Sequence, residues 1–284
     1  MNKIFLLLIS LIFLEGCGQT EHPVLNHMGS FPSKLREVSG IEIIGKNIWV
    51  IQDSGNKDVI YNINKKGKIK EELKINHAKN QDWEDLASDK KGNIYIGDFG
   101  NNNNERKDLT IYKIDSTQMQ KKEPKAKKIK FRYPQQHQFP PKKDSLFFDT
   151  EAFFHWNDSL YIFTKNRSRP YTGETLIYRI PDEEGDYNAS FIGSLVLCKD
   201  QNHCSVTGAD ISPDGKIIAL LTYGKIFFLS DFKAENLANP IIESIDLKHV
   251  TQTESIGFLN NTTLLIADEQ TLGTGRNLYS YSLD

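Results

Sequence analysis

Five residues stand at the same point of a motif that recurs along the chain: Ser39, Glu84, Glu151, Thr207 and Glu254. Brought together, three carboxylates and two hydroxyls make an all-oxygen donor set. Three carboxylates cannot all stay ionised at close range without compensation, so some protonate or a cation sits among them. Hard oxygen ligands carrying several negative charges favour calcium over a transition metal. A wide ring of oxygens also suits calcium better than magnesium, which demands a tight octahedral shell. A second tier follows at the ends of the next apolar runs: Asp53, Asp98, Lys165, Tyr223 and Asp268. Arg106, Arg167, Arg169 and Arg276 lie in the loops after them. An acid that activates water, a metal that polarises a phosphoryl group and an arginine that stabilises developing charge would together hydrolyse a phosphate ester or anhydride. Asp53, Asp98, Asp268, Arg167 and Arg276 are the catalytic candidates on that reading. The structural alternative is that Asp-Ser-Gly and Asp-Phe-Gly are plain turns and the five starting residues cap backbone groups around a structural ion.

The elements that must position these residues are repeats of one unit, clearest in residues 82–100, DWEDLASDKKGNIYIGDFG. An acidic turn leads into a short strand, a polar turn follows, and a second apolar strand ends on an acid. Looser copies place IWVIQD after Ser39, LYIFTK after Glu151, IIALL after Thr207 and LLIAD after Glu254. A third strand with a central aromatic follows each copy: VIYNI, LTIYKI, LIYRI, KIFFL and LYSYS. Propeller blades run about 40–50 residues, so the first and last intervals between starts fit directly and the middle two carry insertions. The pattern has strand period, and no long stretch beyond the leader has helical period. These features predict an all-β fold, a β-propeller of five blades, with a six-bladed ring as the alternative. Closure protects sheet edges that an open array would leave bare. The last repeat supplies only three strands, so residues 24–32 are expected to complete its blade. Residues 127–133 read as the outer strand of the second blade and residues 135–144 as a loop, because Pro140-Pro141 removes two backbone donors. The lysines of that outer strand read as a solvated edge that discourages pairing, with an anion-binding patch as the alternative.

The 284 residues carry a formal net charge of −2, which gives no electrostatic case for nucleic acid. Asn2-Lys3 and the apolar run 4–14 form a signal-peptide core, too short to span a bilayer. Leu14-Glu15-Gly16-Cys17 resembles the bacterial lipobox, with Glu15 in place of the usual small neutral residue. The expected organisation is a lipoprotein signal over 1–16, a tether over 17–23 lipid-anchored at Cys17, and a single propeller over 24–284. That places the protein at a membrane of the bacterial cell envelope without a transmembrane helix. Cys198 and Cys204 remain, and outside the cytoplasm they can close a small disulfide. Two cysteines with His203 between them match no strong zinc pattern. No serine-hydrolase elbow, phosphate-cradling glycine loop or histidine metal motif occurs.

The ordered series Ser39, Glu84, Glu151, Thr207, Glu254 resembles that of the calcium-activated nucleotidases (apyrases). These are five-bladed propellers with Ser, Glu, Glu, Ser and Glu, one per blade, around a central calcium. The resemblance implies that the five residues hold calcium directly or through water, with Thr207 keeping the hydroxyl of the family's serine. Residues 51–61, IQDSGNKDVIY, resemble the family's acidic turn and aromatic strand, but Ser54-Gly55-Asn56 lacks the arginine found there. The runs WEDLA, GDFGNN, TEAFF and TGADISPDG are also similar to bacterial propeller proteins with TolB-like repeats. The expected function is a binding or scaffold module with a central calcium and a small-molecule or protein ligand at the propeller mouth. The alternative is a calcium-dependent, nucleotidase-like hydrolase, and a sugar or lactone hydrolase on a six-bladed ring would need different acids.

Overall fold

The computed structural model describes residues 25–235, 237, 239–248 and 251–283. The leader, the tether and Cys17 lie outside them. Strand β1 (Asn26–Ser30) comes first, and the blades follow in chain order. Blade 1 holds β2 (Val38–Ile44), β3 (Asn47–Gln52), β4 (Val59–Ile63) and β5 (Ile69–Lys74). Blade 2 holds β6 (Trp83–Ser88), β7 (Ile94–Asp98), β8 (Thr110–Ile114) and β9 (Lys127–Arg132). Blade 3 is built from β10 (Asp149–Trp156), β11 (Ser159–Lys165) and β12 (Glu174–Pro181); β13 (Gly185–Asn188) leaves it, and β14 (Ser190–Val196) completes it. Blade 4 holds β15 (Val206–Ile211), β16 (Ile218–Thr222), β17 (Lys225–Ser230) and β18 (Ile241–Asp246). Blade 5 holds β19 (Thr253–Asn260), β20 (Thr263–Asp268) and β21 (Asn277–Ser282).

Five sheets result, and β1 pairs antiparallel with β21 as the fourth strand of the last blade. The N-terminal strand thus closes the ring, as the three-stranded last repeat requires. The first strands of the blades pack side by side around the axis: β2 on β6, β6 on β10, β10 on β15, β15 on β19 and β19 back on β2. Removing β1 bares the edge of β21 and opens the ring. A chain that begins at Phe31 is expected to unfold roughly 10 °C lower in a thermal scan, equivalent to about 3–4 kcal/mol at this size.

Each hydrophobic cluster lies between two neighbouring blades. In β7, Ile94 and Ile96 face blade 1 while Tyr95 faces blade 3. In β11, Leu160 and Ile162 face blade 2 while Tyr161 and Phe163 face blade 4. Both faces of every second strand are therefore buried. That is why these segments read as unbroken apolar runs rather than alternations.

Two features depart from the sequence reading. Strand β13 pairs in parallel with β9, adding a fifth strand to blade 2 from the chain of blade 3. The lysine-rich β9 is therefore not a free edge: its Ile129 and Phe131 are buried, and Lys127, Lys128 and Lys130 are exposed. The second feature is the short helix α1 (Gln201–Cys204), capped by the Asp200 carboxylate on the Asn202 amide. A Cys198–Cys204 disulfide ties it back just before β15, with Cys204 buried against blades 3 and 4.

Candidate functional site

The same irregularity occurs in all five inner strands. The ladder of each with its neighbour slips by one residue between Val38 and Gly40, Trp83 and Asp85, Thr150 and Ala152, Val206 and Gly208, and Thr253 and Ser255. The residue inside each slip is Ser39, Glu84, Glu151, Thr207 or Glu254. A β-bulge leaves one residue unpaired and re-aims its side chain. The five positions picked out by sequence are therefore one structural position repeated around the axis.

Their side chains have three different fates. Ser39 Oγ donates to the carbonyl of Trp83 at 2.8 Å, and Thr207 Oγ1 to that of Thr253 at 2.8 Å. Each hydroxyl thus joins its blade to the next. Glu151 accepts from Lys165 Nζ at 2.5 Å and Arg167 Nη2 at 2.9 Å. Burial pushes this carboxyl up, but two cations surround it, and the short Lys165 contact is that of an ion pair. Burial opposes the Lys165 charge, and the facing Glu151 outweighs it and holds the ammonium protonated. Arg167 also pairs with Asp149 at 2.7 Å. Lys165 donates to Tyr223 Oη at 3.0 Å, and Tyr223 donates to Glu254 at 2.8 Å. One chain of bonds, Arg167–Glu151–Lys165–Tyr223–Glu254, thus links blades 3, 4 and 5.

Glu84 differs from the others. It is 7% exposed, and among the described residues its carboxylate makes no hydrogen bond or ion pair. Burial raises its pKa well above the carboxylate range, and Glu151, Asp53, Asp82 and Asp149 raise it further. Oxygens of Asp53, Asp82 and Glu84 all lie within 4.8 Å of one another. Asp82 is pushed up to about 7 by burial and by Asp53. Gly100 leaves the space these oxygens occupy: a Cβ there would run into Glu84 Oε1 and Asp82 Oδ2. The three acids come from the end of β3 and from the turn that opens β6. The cluster therefore joins blade 1 to blade 2. Asp53 was a sequence candidate in another role. Asp82 was not a candidate, and its signal was the acidic turn that opens the clearest repeat.

The remaining catalytic candidates are held elsewhere. Asp98 accepts from the Asp82 amide at 2.9 Å, Arg106 Nη2 at 3.3 Å and Tyr112 Oη at 3.4 Å. Asp268 is fully buried and accepts from the Asn277 amide at 2.6 Å and Tyr279 Oη at 3.1 Å. Both acids thus meet the tyrosine of their own third strand. Arg276 gives its carbonyl to the Phe31 amide at 2.8 Å, which ties the fifth-blade loop to the segment after β1. Arg169 is exposed, and its amide donates to the Lys143 carbonyl at 2.7 Å. A second group of metal-ligating type, Asp89, His155 and Asp182, lies at the other end of the inner strands. It is engaged in its own bonds: His155 Nε2 meets Asp182 at 2.8 Å, and Tyr95 Oη reaches Asp182 and Asp89 at 3.1 Å each.

Burial, and in Glu254 the neighbouring Glu269, puts Asp210 and Glu254 each at about 7. In the unfolded chain such carboxyls lose their protons near pH 4. Between about pH 5 and 7 the folded state therefore binds more protons, and stability falls as pH rises. The carboxyls held low, Asp108, Asp182, Asp200 and Asp214, are already ionised in this window and add no slope. The thermal midpoint in chelator is expected to decline from pH 5 to 7.5, with a shallower decline in Asp210→Asn.

No protein-family model matches the chain, and no curated protein does. Among solved structures the chain is similar to the PQQ-bound form of an aldose sugar dehydrogenase from Streptomyces coelicolor. The identity is 9% and the TM-score 0.48, over 91% of this chain and 97% of that one. Identity this low transfers neither cofactor nor substrate. By its own strands and their pairing, the chain is a five-bladed β-propeller whose ring is closed by its N-terminal strand.

Proposed function

We propose that this protein is a lipid-anchored, extracytoplasmic propeller that holds calcium at one mouth of its channel and serves as a binding module of the bacterial cell envelope. The observation that carries the reading is the buried Glu84, without a bond among the described residues, within reach of Asp53 and Asp82. A buried carboxylate without a partner is costly, and a cation among the three acids offsets that cost. The donor set fits a hard cation: all ligands are oxygens, and calcium takes further oxygens from water or from a bound partner. Asp53, Asp82 and Glu84 would hold the ion, and it would supply a positive centre for an anionic or hydroxyl-rich ligand. Of the five axial residues in the original expectation, Glu84 alone belongs to this set. Ser39 and Thr207 serve as inter-blade bonds, and Glu151 and Glu254 are engaged by Lys165 and Tyr223.

The hydrolase alternative finds less support. Arg167 is committed to Asp149 and Glu151, and Asp98 and Asp268 are bound within their own blades. Phosphate release from a nucleoside diphosphate in the presence of calcium is the direct test. The binding-module reading expects background rates, and turnover lost in Glu84→Gln would establish the hydrolase instead. Among the described residues no helix is long and apolar enough to cross a membrane. The anchor rests on Cys17, and Cys17→Ala is expected to release the protein from the membrane fraction.

A further inference from the structure

A cavity of ≈ 480 Å³ lies at the other end of the channel from Glu84. Ser39 and Ile43 stand four residues apart on β2, which separates the two mouths by roughly 13 Å. All five inner strands contribute to it: Glu42, Ser88, His155 with Trp156, Asp210 and Phe258. It therefore lies on the propeller axis.

We propose that this cavity binds a small organic ammonium ion, held between Glu42 and Asp210 with the Trp156 indole beside it. Glu42 is buried, and among the described residues neither it nor Asp210 has a cationic partner, in contrast to Glu151. Neutral donors compensate them only in part: the Ile43 amide at 2.8 Å and Ser88 for Glu42, and the Ile211 and Phe258 amides at 2.7 and 2.6 Å for Asp210. Burial raises the Glu42 carboxyl well above its usual range, and the charge of Asp210 raises it further. A buried Glu42 and a half-buried Asp210, neither in an ion pair among the described residues, favour a positive ligand in the cavity they face. Asp89, Asp158 and Asp214 on the walls outnumber Lys90 and Lys91. The cavity is of the size that holds a small molecule. The oxygens of Glu42 and Asp210 do not join the close-set metal-ligating groups among the described residues. An ammonium with several carbons fills such a space, and an aromatic face attracts it.

Trp156 is half-buried whereas Trp49 and Trp83 are buried, so intrinsic fluorescence reports on this wall. The test titrates the soluble protein with tetramethylammonium chloride and n-butylammonium chloride, against tert-butanol and sodium chloride as neutral and ionic controls. The expected result is a saturable change with at least one ammonium salt and with neither control, unaffected by excess chelator. Insensitivity to chelator separates this site from the calcium mouth. Glu42→Gln combined with Asp210→Asn is expected to weaken binding at least tenfold in protein whose circular dichroism is native. The proposal is overturned if no ammonium salt saturates, if tert-butanol acts equally well, or if the folded double variant binds undiminished. Should that variant not fold, the comparison of ammonium with tert-butanol on the native protein decides alone.

Discussion

Lys165→Met is expected to destabilise the protein by about 3 kcal/mol, the lower end of the range for removing one partner of a buried ion pair. Lys165 and Glu151 are 5% and 7% exposed, and their 2.5 Å contact is one of the four links in the chain joining three blades. Removing the ammonium leaves Glu151 with Arg167 alone and deprives Tyr223 of a donor. Methionine keeps most of the volume, so the loss is electrostatic rather than a cavity. Denaturant unfolding of Lys165→Met, Glu151→Gln and the double variant measures this directly. The double variant is expected to regain more than half of the loss, because the uncompensated charge is then gone. Additive losses would mean that Glu151 and Lys165 do not act as a pair.

Gly100→Ala is expected to lower calcium affinity by about 100-fold, the upper range for disturbing the shell that orients metal ligands. The reason is steric. The new Cβ would take the place of Glu84 Oε1 and Asp82 Oδ2, so both acids must turn away. Unfolding in excess chelator separates this effect from damage to the fold. The variant is expected to lie within about 1 kcal/mol of the parent there, since the displaced groups are side-chain ends. An unchanged calcium isotherm in folded Gly100→Ala would place the ion elsewhere.

Much of this architecture was legible in the residues. The five starts were legible because each marks a bulge, and a bulge fixes where an inner strand begins, so Ser39, Glu84, Glu151, Thr207 and Glu254 keep their place while the residue type varies. The need for an N-terminal strand followed from a last repeat one strand short. What each starting residue does was not legible. Whether Ser39 or Thr207 faces a ligand or the neighbouring blade depends on the rotation between blades, which no local pattern encodes. Asp82 escaped because it precedes the strand, and the acid two residues before the start recurs in only two of the other four repeats, as Glu37 and Asp149. Strand β13, GDYN, escaped because four mostly polar residues carry no alternation and pair in parallel with a strand of another blade. The pairing of Asp98 and Asp268 with Tyr112 and Tyr279 was half visible. The aromatic in every third strand was plain, but its hydroxyl partner in the second strand was not.

The central claim is that a cation rests on Asp53, Asp82 and Glu84. The most direct measurement is thermal unfolding of the soluble protein, residues 18–284, with calcium and then with excess chelator, repeated on Glu84→Gln. A ligand that binds only the folded state adds about 2.7 kcal/mol when present at one hundred times its dissociation constant. That corresponds to roughly 5–10 °C for a domain of this size. The account predicts a rise of that order in the parent, reversed by chelator and absent in Glu84→Gln. The variant alone should match or exceed the parent in chelator, because it removes a buried, repelled charge. An identical midpoint with calcium and with chelator in the parent would contradict the account.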